Sequence, residues 1–229
     1  MNNDGFRFAR GNLAKVLALP KYVLSVLVSW CVPRSENRWV FGSGLGVGEG
    51  ALELARQLSR EDPDANIVWL VANDAEAEAA SEEGWRPIRR QSAAGYWATL
   101  RARWVVVTHG LGDANRFGII GATVVQLWHG APLKRLHLDS PVTTALRGPA
   151  LLRRLLRRMY LAGSRQVDLY VAGSPLAADR LRSAFRVAPA RSECSETPEM
   201  TRLHARRPSQ GLPPRLVRGF VAWSKGRAE

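Results

Sequence analysis

The segment Gln126-Leu127-Trp128-His129-Gly130-Ala131-Pro132-Leu133-Lys134 holds the residues best suited to chemistry. It leaves an apolar run at Leu127 and turns at Gly130 and Pro132. A histidine with an ordinary pKa near neutrality can take a proton from an attacking hydroxyl. The glycine beside it lets a ligand approach the backbone closely. Lys134 and Arg135 follow within reach and can hold the negative charge of a phosphoryl group. The plainer alternative is a structural histidine on a turn, beside solvated cations. His109 closes another apolar run, Trp104–Thr108, and could lie across a cleft from His129. His109, His129 and His137 lack zinc spacing and have no cysteine beside them, so no metal site and no cofactor is expected.

The elements that must position these residues show in the pattern. Trp39-Val40-Phe41, Asn66–Val71, Trp85–Ile88, Trp104–Thr108, Thr123–Leu127 and Val167–Val171 read as strands. Ala51–Arg60, Asp74–Glu83, Ala93–Ala102 and Pro175–Phe185 read as helices between and after them. Ser174 is an expected N-cap, with Pro175 at the first helical position. Val- and Ile-rich strands alternating with helices of about ten residues predict an α/β fold, a Rossmann-like parallel sheet with helices on both faces. In such sheets ligands collect at the carboxyl ends of the strands, where His129 and His109 would sit. Glycines 42, 44, 46, 48 and 50 follow the first strand. They match neither GxGxxG nor a P-loop. They form either an anion-binding turn or, more simply, a close-packing one.

Composition bounds the rest. The chain has 229 residues, is 46% hydrophobic and 23% charged, and can bury a core. Lys plus Arg number 33 against 20 Asp plus Glu, a net charge of +13, which points to phosphate-rich partners. Cys31 and Cys194 exclude a disulfide scaffold and are expected to be unpaired thiols in a reducing compartment.

Residues 13–33 are the most lipophilic stretch, interrupted by Lys15, Pro20 and Lys21, and too short beyond Pro20 to span a bilayer. Arg7, Arg10, Lys15 and Lys21 flank it and Trp30 lies toward its far end. That reads as a surface helix on anionic lipid; a signal peptide and a first core helix are the alternatives. Leu151, Leu152, Leu155, Leu156 and Met159, flanked by Arg153, Arg154, Arg157 and Arg158, predict a basic amphipathic helix. Residues 188–229 carry no persistent period and are expected to be an irregular or disordered tail. The expected organisation is therefore a membrane-surface helix segment (1–35), a Rossmann-like domain (36–187) and that tail.

VVQLWHGAPLKRL, with Asp139 shortly after, resembles the WHG-x-PLK signature of the CDP-glycerol glycerophosphotransferase family, the teichoic acid glycerol-phosphate primases and polymerases. GYWATLRARWVVVTHG and VDLYVAGSPLAADRLRSAF resemble that family's flanking helix-strand and strand-helix units, so the match covers roughly residues 36–187. Ala131 stands where threonine is usual, and Leu136-His137-Leu138 replaces a more glycine-containing segment. The resemblance implies a two-domain GT-B fold, of which this is the N-terminal, acceptor half. It implies a peripheral enzyme at the cytoplasmic face of the bacterial plasma membrane, a phosphotransferase for substituted phosphate groups acting in cell-wall polymer synthesis. Its donor is CDP-glycerol and its acceptor a lipid-linked glycerol phosphate. It makes His129 catalytic; Trp128, Gly130, Pro132, Lys134, Arg135 and Asp139 are the expected substrate-binding residues around it. After Phe185 the family's donor-binding half has no counterpart here, and His204 lacks its context. A truncated or frameshifted member of doubtful activity is the expectation. The alternative is a non-catalytic basic module on anionic membrane or nucleic acid. No helix-turn-helix or RNP string supports specific nucleic-acid recognition.

Overall fold

Among the described residues, seven strands form one sheet in the order β3-β2-β1-β4-β5-β6-β7. They are β1 (Ser35–Gly42), β2 (Asn66–Val71), β3 (Arg86–Arg89), β4 (Ala102–Val107), β5 (Thr123–Gln126), β6 (Leu169–Ala172) and β7 (Thr201–His204). The computed structural model describes residues 18–127, 136–140, 150–172, 174–186 and 201–204. The helices are α1 (Leu19–Cys31), α2 (Glu49–Glu61), α3 (Asp74–Glu82), α4 (Ala93–Leu100), α5 (Ala150–Ser164) and α6 (Pro175–Phe185). β1 to β6 pair in parallel, as the Val- and Ile-rich runs predict. The chain fills one side of β1 with β2 and β3, then crosses back and fills the other side with β4, β5 and β6. The winding therefore reverses between β1 and β4.

Alternate residues of the strands feed two cores, because successive side chains point to opposite faces. One core joins Trp39, Phe41, Trp69, Trp104 and Val106 to Leu54, Ala55 and Leu58 of α2. The parallel register sets Trp39 beside Trp104 and Phe41 beside Trp69. The rings follow: Trp104 to Trp39 at 5.1 Å, Phe41 to Trp69 at 5.6 Å and Trp69 to Trp85 at 5.1 Å, all stacked. The opposite core joins Val40, Leu70, Val105, Val107 and Tyr170 to Ala98 of α4 and Ala177, Ala178 and Leu181 of α6.

Local capping starts the helices where the residue types allow it. Asn73 accepts from the Glu76 N–H and Ser92 from the Gly95 N–H. Ser174 accepts from the Ala177 N–H, with Pro175 opening α6, as expected. Arg34 ties the start of β1 to its surroundings. Its guanidinium donates to the carbonyl oxygens of Thr99 (3.1 Å), Ala102 (2.5 Å), Gly118 (3.2 Å) and Ile120. Burial, and then the nearby Arg103, pull its pKa down to about 10.

The expectation of an irregular segment after residue 187 needs one correction. Thr201–His204 pairs antiparallel with β6, Leu169 opposite His204 and Ala172 opposite Thr201. An edge strand offers a row of unpaired backbone groups, and any short extended segment can satisfy them without an apolar pattern of its own. That is why four mostly polar residues form a strand that periodicity does not reveal.

α1 packs on the domain through Tyr22, whose ring lies 4.9 Å from that of Phe117, and through buried Ser25. Its opposite face carries Val23, Leu24, Leu27 and Trp30, all exposed, with Trp30 at 78%. Among the described residues no helix is long and apolar enough to cross a membrane. α5 is less simply amphipathic than its sequence suggests. Leu156 is fully buried, while Leu151 is 78% exposed and Arg153, Arg154, Arg157 and Arg158 face solvent.

Candidate active site

The crevice where an open α/β sheet binds ligands lies at the carboxyl ends of the strands, at the reversal of winding. Here that point is between β1 and β4, whose last residues, Gly42 and Val107, are register partners. The chain leaves β1 through Ser43-Gly44 and leaves β4 through Thr108-His109. These two exits touch.

Glycine makes that contact possible. A Cβ on Gly42 would lie 2.1 Å from the Asp113 carbonyl oxygen, and one on Gly44 would lie 2.9 Å from Cγ of His109. Gly46 is needed for a different reason, a left-handed φ of +88°. At positions 42 and 44, then, the alternating glycines serve close packing between the two exits.

The second exit is built around Asp113, in a short 3-10 turn from Leu111 to Asp113. Its carboxylate oxygen Oδ2 accepts from the backbone N–H groups of Thr108 (3.1 Å), His109 (2.6 Å) and Gly110 (3.3 Å). Arg90 stands behind it, with Nη1 3.9 Å from Asp113 Oδ1 and donating to the Gly112 carbonyl. A buried carboxylate is tolerable only when paired and hydrogen-bonded in this way. The loop it organises presents Thr108 Oγ1 within 2.8 Å of His109 Nδ1 and 3.0 Å of Ser43 Oγ. The Gly44 N–H in turn donates to His109 Nδ1 at 3.3 Å. The His109 side chain is 26% exposed.

β5 ends beside this cluster. Gln126 is the register partner of Val107, and the Leu127 N–H donates to the Val107 carbonyl at 2.9 Å. The chain therefore leaves β5 one strand away from Thr108-His109. Trp128, His129, Gly130, Pro132, Lys134 and Arg135 lie outside the described residues, as do Arg7, Arg10 and Lys15. Lys21 and Trp30 are on α1, both exposed.

Asp139 is placed elsewhere. Its carboxylate accepts from Ser183 Oγ at 2.5 Å and pairs with Arg186 at 3.0 Å. Both partners lie at the end of α6, whose start follows the carboxyl end of β6. At a rise of about 1.5 Å per residue, that end is one helix length from the carboxyl edge of the sheet. His137 supports the same attachment: its ring stacks on Phe185 at 4.6 Å and meets Tyr160 edge-on at 5.2 Å. The structure thus brings His109 to the crevice and uses Asp139 to tie the 137–139 turn to α6.

Sequence reasoning singled out His109 but not Ser43, Thr108 or Asp113. A usable signal was present. A strand ending in Thr-His, then glycine, with Asp three residues beyond that glycine, is the pattern of a carboxylate capping the N–H groups of its own turn. Among the described residues no cluster of His, Cys, Asp and Glu could hold a metal ion.

No curated protein matches the chain in sequence. Among solved structures, the wall teichoic acid polymerase TagF is similar, with a TM-score of 0.56 and 20% identity over 82% of this chain and 46% of that one. A histidine-to-asparagine variant of TagF soaked with CDPG gives 0.55 and 19% over 80% and 46%. Identities this low speak to fold, and the chain spans under half the length of these polymerases. The family profile described as CDP-glycerol:poly(glycerophosphate) glycerophosphotransferase matches residues 24–200, most of the chain. This chain belongs to that family.

Proposed function

We propose that the chain works in glycerol-phosphate transfer from CDP-glycerol to a lipid-linked acceptor in teichoic acid synthesis, with the crevice at the β1/β4 reversal receiving the acceptor. The observation that carries this reading is the family match over residues 24–200, with the WHG-x-PLK string following β5 in sequence. In the transfer, a terminal hydroxyl oxygen of the acceptor attacks the β-phosphorus of CDP-glycerol. The new P–O bond forms as the bond from that phosphorus to the CMP oxygen breaks, and CMP leaves. His129 takes the hydroxyl proton. Lys134 and Arg135 steady the phosphate charge, and Trp128, Gly130 and Pro132 bind the substrate beside them.

The place of action we propose is the cytoplasmic face of the bacterial plasma membrane, held peripherally. The outward apolar face of α1, with Lys21 at its start and Trp30 at its end, favours it. Basic Arg7, Arg10 and Lys15 precede that helix in sequence.

Transfer of radiolabelled glycerol phosphate from CDP-glycerol to a lipid-linked acceptor tests the function, with His129→Ala beside the wild type. Labelled product from the wild type and none from the variant is expected. Equal turnover by the two would remove His129 from the reaction. Tight, salt-resistant DNA binding would favour the basic-module alternative, since phosphate contacts alone weaken steeply with salt.

A further inference from the structure

Arginines from three strands and one helix gather at the amino edge of the sheet, the edge away from the crevice. Val40, Val105 and Ile88 face the core that lies under α4. Side chains two residues apart on a strand share a face, so Arg38, Arg103 and Arg86 point to that same side. Arg38 is the register partner of Asn66 on β2, and Arg86 that of Val68. Arg101 closes the carboxyl end of α4, and its carbonyl accepts from the Ser35 N–H at 2.8 Å, at the start of β1.

These cations are short of acids. Glu36 answers one of them, its carboxylate 3.5 Å from Arg103 Nε. Among the described residues Arg38, Arg86 and Arg101 pair with no carboxylate, whereas Arg56, Arg89, Arg90, Arg182 and Arg186 each do. Arg38 is half-buried, and its Nε is buried without a hydrogen-bond partner. Burial first, and then the charges of Arg101 and Arg86, hold its pKa below the ordinary arginine value. Like charges gathered in this way destabilise the fold, and a buried donor without an acceptor adds to that. A phosphate group relieves both, because its oxygens carry negative charge and fit the planar fork of a guanidinium. Arg86 is exposed and leaves the cluster open to solvent. Arg38 stands four residues before Gly42, roughly 13 Å along the strand from the crevice.

We infer that Arg38, Arg86 and Arg101 form a phosphate-ester binding site at the amino edge of the sheet, separate from the crevice. The ester is either free or the headgroup of an anionic lipid. Trp97, exposed and one helical turn before Arg101, suits the headgroup. The site does not rest on the transfer proposed above.

The test uses the full chain and the double variant Arg38→Gln/Arg86→Gln in two arms. The first is thermal unfolding with sn-glycerol 3-phosphate, against sodium chloride of equal ionic strength. A ligand of the folded state raises the melting temperature. The second is co-sedimentation with phosphatidylglycerol vesicles, against phosphatidylcholine vesicles. The double variant should bind about tenfold more weakly in at least one arm. Without ligand it should melt no lower than the wild type, since repulsion has been removed. If it does melt lower, Arg86→Gln alone carries the same reading, because Arg86 is exposed. A loss in the first arm assigns a free ester; a loss in the second arm alone assigns a lipid headgroup. Arg153→Gln/Arg157→Gln on α5 removes equal charge elsewhere and should leave the first arm unchanged. Equal behaviour of the Arg38/Arg86 variants and the wild type in both arms, or the same loss of the free ester in the α5 pair, would overturn the inference. Failure of the transfer assay with these readouts intact would remove the proposed reaction and leave this site standing.

Discussion

Gly42 and Asp113 meet backbone to backbone: the site of a Cβ on Gly42 lies 2.1 Å from the Asp113 carbonyl oxygen. This approach packs the exit of β1 directly against the turn after β4. Gly42→Ala should therefore destabilise by about 1–3 kcal/mol, the range for overpacking a rigid site. A lowered urea midpoint at unchanged slope is the expected reading. Gly48→Ser is the control. Nothing lies within 4 Å of its Cβ position, its φ of 173° is extended, and serine is a good N-cap for α2, so stability should hold or rise slightly.

Asp113 supports the loop through three N–H bonds to one carboxylate oxygen. Asp113→Ala leaves those donors without their acceptor, each worth about 1–3 kcal/mol if water cannot replace it. A loss of about 3 kcal/mol or more is expected, with Asp113→Asn costing less because one amide oxygen remains. Amide hydrogen exchange at Thr108, His109 and Gly110 should accelerate in Asp113→Ala ahead of the strand interiors. Uniform acceleration across the sheet would mean the effect is global rather than local.

Arg34 donates to four carbonyl oxygens and, among the described residues, pairs with no carboxylate. Its pKa is lowered to about 10 in the folded state from an ordinary 12.5. Between those values the unfolded chain binds more protons, so this group's contribution to stability rises with pH there and is flat below about pH 9. Arg34→Met should destabilise by several kcal/mol, because four acceptors lose their donor. Thermal unfolding at pH 6, 7 and 8 should show the same loss at each.

The exposed face of α1 separates binding from stability. Replacing Leu24, Leu27 and Trp30 together by serine should change stability little, since all three are more than half exposed. Co-sedimentation with vesicles of phosphatidylglycerol and phosphatidylethanolamine should fall several-fold. Retained vesicle binding would place the membrane contact elsewhere. Tyr22→Ala should do the reverse, loosening α1 from Phe117 at a cost in stability.

Asp139 offers a sharper distinction between tether and ligand contact. Asp139→Ala removes bonds to Ser183 and Arg186 on a partly exposed surface, worth about 1 kcal/mol or less. A tether should leave glycerol-phosphate transfer within a few-fold of wild type. A loss of turnover of a hundredfold or more, at unchanged stability, would instead place Asp139 on the substrate.

By itself the sequence determined the parallel α/β layout. Runs such as Trp104–Thr108 and Asn66–Val71 are apolar on both faces, which only a sheet covered on both sides can bury. Ser174-Pro175 marked the start of α6 to the residue because a cap is a local interaction. The WHG-x-PLK string likewise carried the family. What only the tertiary structure decided are the relations between exits of strands distant in sequence. That Gly42 must be glycine depends on Asp113, 71 positions later, and the close seat of the His109 ring depends on Gly44, 65 positions earlier. β7 is a strand because the edge of β6 accepts it, not because Thr201–His204 alternates. The outward face of α1 follows the same logic: periodicity places Val23, Leu27 and Trp30 on one stripe, but packing decides which stripe meets the domain. Contacts of this kind carry no local sequence period, because their energy belongs to pairs that meet only once the chain is wound.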